Sequence, residues 1–176
     1  MVTDIRDVIT FFIHQYTNTH GSFFVIKKSD DMNIKTETTL PPKLVKQLKS
    51  FIYDIIGCCQ EVHREMGPYL NEYIYQDALE MCFQERKIDF IREHHFKTLF
   101  HNKPVKHTHQ VDFFCKNNVY VECKAIATLS LEQRQQLWNY MRLGGVRIGI
   151  LYNFAPVNDQ CERYYYDPEK KTIAAF

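Results

Sequence analysis

The strongest hydrophobic pattern in the chain follows two prolines at 41–42. Apolar side chains recur every three or four residues over 44–62, which is the spacing of one helix face, and Gly67-Pro68 is a typical helix end. A second helical pattern over 70–83 ends beside Arg86-Lys87, where positive charge suits the helix dipole. These patterns predict two consecutive helices at the start of the main fold.

From residue 88 onward the apolar period changes to the two-residue period of β-strands. Polar turn sequences at 102–104 and 116–118 separate the later candidates. The pattern therefore predicts three or four strands in succession. The candidate strands are Ile88–Ile91, Phe96–Phe100, Lys106–Phe114 and Val119–Ile126.

One more helix and two β regions complete the main fold. Ser130 can cap a helix that runs through Arg142 and ends at Gly144-Gly145. The apolar run 146–152 suits a buried strand, and 161–176 predicts a hairpin. The order of helix, helix, strands, helix and strand predicts a mixed α/β fold rather than a regularly alternating βαβ fold.

The N-terminal segment has a pattern of its own. Residues 3–16 carry an apolar stripe that predicts a short amphipathic helix, and Phe23–Ile26 has the composition of a strand. A polar stretch over 27–39 separates both from the main fold. We therefore expect a helix–strand extension over 1–42 and a main domain over 43–176. The phenylalanines of the extension either pack on the domain's own core or mediate a homodimer.

Composition and charge narrow the class of protein only modestly. With 45% hydrophobic and 24% charged residues, the 176-residue chain suits one globular domain. Its net charge of +1 supplies no strong overall attraction to nucleic acid, although local basic patches can. The six cysteines include no C-x-x-C pair and no apolar run is long enough to cross a membrane. We therefore expect free, buried thiols and a cytoplasmic protein.

Candidate chemistry lies on two neighbouring predicted strands. Asp112 interrupts an apolar strand, and Glu122 and Lys124 lie two apart on the next one, so they share a face. If these strands pair through the turn at 116–118, the two carboxylates approach each other, which is costly without a cation. Oxygen ligands favour Mg²⁺ or Mn²⁺, and a lysine beside the ion can assist an attacking water. Taken alone, however, Glu-x-Lys is more often the solvated face of an ordinary strand.

The flanking sequence changes that balance. The segments that matter are, in chain order, Ile55–Gly57, Glu61–Pro68, Leu70–Tyr75, Val111–Phe114, Val121–Ala125, Gln136–Tyr140 and Gly149–Phe154. In this order they resemble the GxxExxY protein family, which belongs to the PD-(D/E)xK nuclease-like superfamily. The resemblance covers about residues 50–156. The glutamate and tyrosine of the family's name fall on Glu72 and Tyr75, but its glycine falls on Tyr69.

The resemblance implies a restriction-endonuclease-like fold, in which helices flank a mixed central sheet. It implies that the triad of Asp112, Glu122 and Lys124 is catalytic and that the two carboxylates bind the metal. The backbone carbonyl of Cys123 is a further candidate ligand.

The resemblance also assigns roles to helical residues. Glu72 corresponds to the helix carboxylate that holds the metal or its water, and Glu61 is a second candidate that can equally face solvent. Gln136 and Tyr140 lie one helical turn apart and resemble the Q-x-x-x-Y element that lines the active site of RecB-like nucleases. The alternative is a surface glutamine next to a core tyrosine.

The leading hypothesis is therefore a Mg²⁺-dependent nuclease that acts on DNA, with RNA a less favoured substrate. The alternative is a non-catalytic module that binds nucleic acid or protein and keeps the nuclease fold. The near-neutral charge and Tyr69 favour the alternative, whereas the intact triad favours the enzyme. A histidine- and lysine-rich stretch over 94–109 predicts an exposed hairpin that can contact phosphates beside the acidic residues.

Overall fold

Four α-helices and seven β-strands make up the part of the chain that the computed structural model describes, residues 35–36 and 40–176. The predicted helix over 3–16 and strand Phe23–Ile26 lie outside these residues, and the boundary at residue 42 stays a prediction. The helices are α1 (Pro42–Phe51), α2 (Tyr53–Met66), α3 (Glu72–Glu85) and α4 (Leu131–Gly144). The strands are β1 (Lys35–Thr36), β2 (Phe90–Phe100), β3 (Lys103–Cys115), β4 (Val119–Lys124), β5 (Ile148–Asn153), β6 (Gln160–Asp167) and β7 (Thr172–Ala175).

The strands form one mixed sheet in the order β1-β7-β6-β5-β4-β3-β2. The pairs β4–β5 and β1–β7 are parallel, and the other neighbouring pairs are antiparallel. Helices α1–α3 pack on one face of the sheet and α4 on the other, which produces two hydrophobic layers. The structure confirms the mixed α/β fold, with a central sheet between helices, that the order of elements predicts.

The first long apolar stripe forms two helices rather than the single one that its period predicts. The break is at Ile52, whose φ of −96° and ψ of 3° leave the helical region. Hydrogen bonds from the Ile52 N–H to Leu48 and from the Ile56 N–H to Ile52 nevertheless span the break. Leu48, Ile52 and Ile55 are all buried, so the apolar period runs through the kink and gives no sign of it.

Strands β2 and β3 form a hairpin that is longer than the sequence pattern predicts. β2 is one strand, not two, and the turn lies at His101-Asn102, where φ values of 50° and 61° are typical of a two-residue hairpin turn. Only Phe113–Cys115, at the inner end of β3, pair with β4. The outer part of the hairpin, residues 94–111, therefore extends beyond β4 as a two-stranded ribbon, which we call the hairpin arm.

The hairpin arm begins at an irregularity in both strands. Residues two apart on a strand normally share a face, yet Phe113 packs in the layer of α1–α3 and Val111 in that of α4. Glu93 opposite this point has a φ of 49°, a left-handed conformation that is uncommon within a strand. The pairing register of β2 and β3 is the same on both sides of this point, so the irregularity is a local change of backbone conformation and not an inserted residue. The residue between Val111 and Phe113 is Asp112.

The cysteines agree with the expectation from composition. All six cysteines are unbridged; five are buried and Cys161 is half-buried. The structure therefore confirms free thiols that pack as small apolar side chains. Within the described residues, no helix has the length and apolar character needed to cross a membrane.

Candidate active site

Three carboxylates and one lysine meet around the end of β4. The Lys124 ammonium lies 2.7 Å from Oε1 of Glu122, with both side chains on the same strand. The Cys123 N–H donates to Oδ2 of Asp112 at 2.7 Å, and the Ala125 N–H donates to Oε2 of Glu72 at 3.2 Å. Within residues 122–125, the backbone N–H groups of Cys123 and Ala125 thus contact side chains from β3 and α3, while Glu122 and Lys124 pair with each other.

The local sequence explains how Asp112 reaches this point. The predicted turn at 116–118 is present, and it sets the register in which Phe113 pairs with Val121 and Cys115 with Val119. Lys116 and Asn117 adopt positive φ values of 49° and 54° there, which tight hairpin turns require. Asp112 lies just beyond the last of these paired residues, so its side chain can accept from the Cys123 N–H instead of continuing the ladder.

Burial dominates the electrostatics of the two central carboxyls. It raises the pKa of Glu122 to about 7, and the neighbouring charge of Asp112 adds to this shift while Lys124 opposes it. Burial also raises the pKa of Asp112 to about 6, against the hydrogen bond from Cys123 and the charge of Lys124. Desolvation and like-charge repulsion both favour the neutral acid, so these groups are held in an environment where ionisation needs a compensating cation.

At Lys124, unlike at the two carboxyls, the neighbouring groups together have a larger effect on the pKa than burial does. Burial alone would lower its pKa, but the attraction and hydrogen bond of Glu122, with further attraction from Glu72 and Asp112, outweigh burial and raise the pKa. Lys124 is therefore an ammonium group near neutral pH, and it is only 14% exposed. A buried, fixed positive charge of this kind can orient a water or neutralise charge on a phosphate.

The residues present fit a divalent cation. Oε2 of Glu122 is buried and has no hydrogen-bond partner among the described residues, an arrangement that is costly unless something else binds this oxygen. The surrounding donors are carboxylate oxygens, which hard ions such as Mg²⁺ and Mn²⁺ prefer. Within 40–176, however, no three His, Cys, Asp or Glu side chains are already arranged as a closed set of metal ligands. Asp112, Glu122 and Glu72 are close enough to influence one another's charge without forming such a cage.

Gln136 and Tyr140 lie together on α4, as their spacing predicts. The Gln136 amide donates to the Tyr140 hydroxyl at 3.0 Å. The Tyr140 ring contacts Phe96 and His109 of the hairpin arm, with ring centroids 5.6 and 5.7 Å apart. The pair therefore joins α4 to the base of the arm and is neither a solvated glutamine nor a wholly buried tyrosine.

Glu61 lies apart from this group. Its carboxylate contacts the guanidinium of Arg86, and the Cys82 thiol lies 3.8 Å away. Arg86 directly follows the last residue of α3, whereas Glu72 is the first, so about 20 Å of helix separates them. Glu61 thus has an ion-pair role between α2 and α3 and is not part of the group around Glu122.

Asn153 supports the site, although no motif or spacing in the sequence singles it out. Its side chain is fully buried at the end of β5, where it pairs with Lys124 across the parallel ladder. It accepts from the Ile126 N–H at 3.0 Å and donates to the Ile126 carbonyl at 2.7 Å, which holds the chain just after Lys124. A polar residue inside the apolar run 146–155 is the available signal, since buried amides are retained where they form hydrogen bonds.

Comparison with known proteins agrees with this fold and site. The family model of the PD-(D/E)XK nuclease superfamily matches residues 49–164, well over half of the chain. The chain belongs to the PD-(D/E)XK nuclease superfamily, and its restriction-endonuclease-like fold is confirmed. Enzymes of this superfamily act on nucleic acid and generally use divalent metal ions. No curated protein and no solved structure is significantly similar to the chain.

Proposed function

We propose that this chain is a metal-dependent nuclease that hydrolyses phosphodiester bonds of DNA, with Mg²⁺ or Mn²⁺ as its cofactor. The observation that carries the proposal is the buried, unpartnered Oε2 of Glu122 next to two further carboxylates and one lysine. Within the superfamily, the segment around Glu72 and Tyr75 supports assignment to the GxxExxY family. RNA remains the less favoured substrate.

The proposed metal ligands are the carboxylates of Asp112, Glu122 and Glu72, together with the backbone carbonyl of Cys123. A bound divalent ion supplies Lewis-acid activation of water or of a phosphate oxygen. Lys124 acts beside the ligands as a fixed ammonium. Because its pKa is raised, Lys124 orients the attacking water or neutralises phosphate charge rather than removing a proton.

Gln136 and Tyr140 are proposed to form the wall of the site on the side of the hairpin arm. Their mutual hydrogen bond fixes both side chains, and the Tyr140 ring is braced by Phe96 and His109. Groups held in this way can position a substrate strand without reorganising when it binds. Lys97, Lys103 and Lys106 of the arm are exposed, so they are available to contact phosphates.

Cleavage assays on purified chain test this proposal. Wild-type protein should cleave DNA when Mg²⁺ or Mn²⁺ is added and should be inactive in chelator. Asp112→Asn and Lys124→Met should each reduce the rate by about 10²–10⁴-fold, the range for loss of a catalytic group. The amide oxygen that Asp112→Asn introduces can still accept a hydrogen bond from the Cys123 N–H, so this variant removes charge while keeping that local contact.

The matched control is Glu85→Gln, which removes one exposed carboxylate at the opposite end of α3 from Glu72. It should cleave as wild type does. Equal activity in Asp112→Asn, Lys124→Met and wild type would identify a contaminant and refute the proposal. A folded wild type that binds nucleic acid but cleaves none with either metal would instead favour the non-catalytic alternative.

A further inference from the structure

Two exposed tyrosines lie on either side of Glu72. Tyr69 is 77% exposed and Tyr73 is 59% exposed, although aromatic side chains normally bury most of their surface. Tyr73 is the next residue after Glu72. Tyr69 precedes Glu72 by three residues, so the Cα atoms of these two residues lie within about 11 Å of each other. The two tyrosines therefore flank Glu72 along the chain, one before the start of α3 and one in its first turn.

The backbone of Tyr69 adds a second, independent observation. Its φ is 70°, in the left-handed region that glycine adopts freely and that destabilises a residue with a bulky side chain. Glycine here would relieve this strain without removing a buried side chain. Strained residues of this kind are concentrated at ligand-binding and catalytic sites, where the surrounding structure holds them in place.

The surrounding structure does hold this loop firmly. The Tyr75 hydroxyl donates to the Gly67 carbonyl at 2.7 Å and accepts from the Leu70 N–H at 3.1 Å, which clamps the loop on both sides of Tyr69. Tyr75 is itself fully buried and stacks on Phe154, with ring centroids 4.8 Å apart. The backbone of Tyr69 is thus fixed before any ligand binds, and less conformational entropy is lost on binding.

Charge indicates what kind of ligand suits these rings. With a net charge of +1, the chain attracts phosphates only weakly, so much of its affinity for nucleic acid has to come from other contacts. Exposed aromatic rings provide one, because an unpaired base stacks on them whatever its identity. Paired bases in a duplex are already stacked and present no free face.

We propose that Tyr69 and Tyr73 form a stacking platform for unpaired bases next to the cleaved phosphodiester bond, so that the enzyme acts on single-stranded DNA. This inference rests on the nuclease function proposed above. The platform lies outside the triad of Asp112, Glu122 and Lys124. Its proposed role is to distinguish single-stranded from double-stranded DNA. If a protein partner covers the same rings instead, truncating the tyrosines should leave the affinity for single-stranded DNA unchanged.

The test measures binding of one fluorescein-labelled deoxyoligonucleotide, single-stranded and as a duplex, in chelator so that nothing is cleaved. Tyr69→Gly and Tyr73→Ala should each weaken single-strand binding by on the order of tenfold, the scale of one lost stacking contact, with little change for the duplex. Tyr69→Phe should bind as wild type does, because stacking needs the ring and not the hydroxyl. Replacing one base by 2-aminopurine should show fluorescence quenching that both truncations reduce.

Tyr53→Ala is the matched control, since Tyr53 is 75% exposed at the start of α2 and should leave binding unchanged. Thermal melting of Tyr69→Gly should be equal to or above that of wild type, which excludes unfolding as the cause of weaker binding. Wild-type affinity in both truncations, or equal losses for single strand and duplex, would overturn the stacking platform. If Asp112→Asn still abolishes cleavage in that case, the proposed function stands without it. A wild type that neither binds nor cleaves DNA would overturn both.

Discussion

At the scale of single residues, the arrangement of carboxyl groups at the site lowers the stability of the fold when no metal ion is bound. Glu122 is buried with the half-buried Asp112 beside it, and one oxygen of Glu122 has no hydrogen-bond partner in the described part of the chain. Such groups destabilise a fold, so they are retained where a function requires them. Lys124 offsets part of the negative charge but contacts only the other oxygen of Glu122.

This arrangement predicts a pH dependence of stability in chelator. The folded-state pKa values of about 6 for Asp112 and about 7 for Glu122 lie above those of unfolded chains, which are about 4. Between pH 4 and 7 the folded state therefore binds more protons than the unfolded state, and stability falls as pH rises. Each unit of pKa difference corresponds to about 1.4 kcal/mol, so the two shifts together predict a loss of several kcal/mol by pH 8.

Urea unfolding at pH 5 and pH 8 measures this effect, with the double variant Asp112→Asn/Glu122→Gln as reference. The reference lacks both titrating groups, so the stability of wild type relative to it should decline between the two pH values. At pH 8 without metal, the double variant should be the more stable protein. A constant difference between the two proteins would show that these carboxyls ionise normally in the fold.

At the scale of elements, glycines decide how closely helices approach the sheet. Gly149 in β5 faces α4, and a Cβ at that position would lie 3.2 Å from Leu137 and closer still to Met141. Both side chains are fully buried, so neither can move away freely. Their helix also carries Gln136 and Tyr140, so the packing at Gly149 bears on the position of that pair.

Gly149→Ala should therefore destabilise the protein by about 1–3 kcal/mol, the usual effect of overpacking a core. Gly57→Ala on α2 is the matched comparison, because the atom that its Cβ would approach is the flexible end of Arg86, 2.8 Å away. Since alanine also favours a helix by up to about 1 kcal/mol, Gly57→Ala should be neutral or stabilising. Denaturation midpoints of the two variants measure the difference, and equal midpoints would contradict the packing described for α4.

The elements also show what can be predicted from sequence and what cannot. α3 and α4 are predictable because one face of each is buried, which produces a clear apolar period. β4 is buried on both faces, and its mostly apolar sequence between turn residues is what predicts it. The sequence pattern divides β2 into two short strands because its centre, Arg92–His95, is polar and has no continuous apolar face. The kink at Ile52 is not predictable, since the buried stripe continues through it.

The residues of the candidate site also divide into those that can be predicted from the sequence and those that cannot. Asp112, Glu122 and Lys124 follow from the pairing of two strands, and the structure brings them together. Glu72 depends on the family resemblance, because no local spacing links a helix start to residues 122–125. Asn153 depends on the register of β4 and β5, which are parallel and joined through α4, and such long-range pairing leaves no local pattern.

At the scale of the whole molecule, the near-neutral charge bears on how a protein with this restriction-endonuclease-like fold can bind nucleic acid. A net charge of +1 means that nucleic acid is attracted by local features rather than by the overall field. The exposed lysines of the hairpin arm and the tyrosines beside Glu72 are the two local features that we propose for this role. Both belong to elements that also carry or brace the proposed catalytic side chains.

The most direct test of the central claim is titration of the folded protein with Mn²⁺ by calorimetry at pH 7.5, in the absence of nucleic acid. Wild type should bind the ion saturably, and Asp112→Asn or Glu122→Gln should weaken binding by at least about tenfold. Glu61→Gln should bind as wild type does, because Glu61 pairs with Arg86 at the far end of α3. A folded wild type that binds no Mn²⁺, or that binds it no better than Asp112→Asn does, would contradict the proposed metal site.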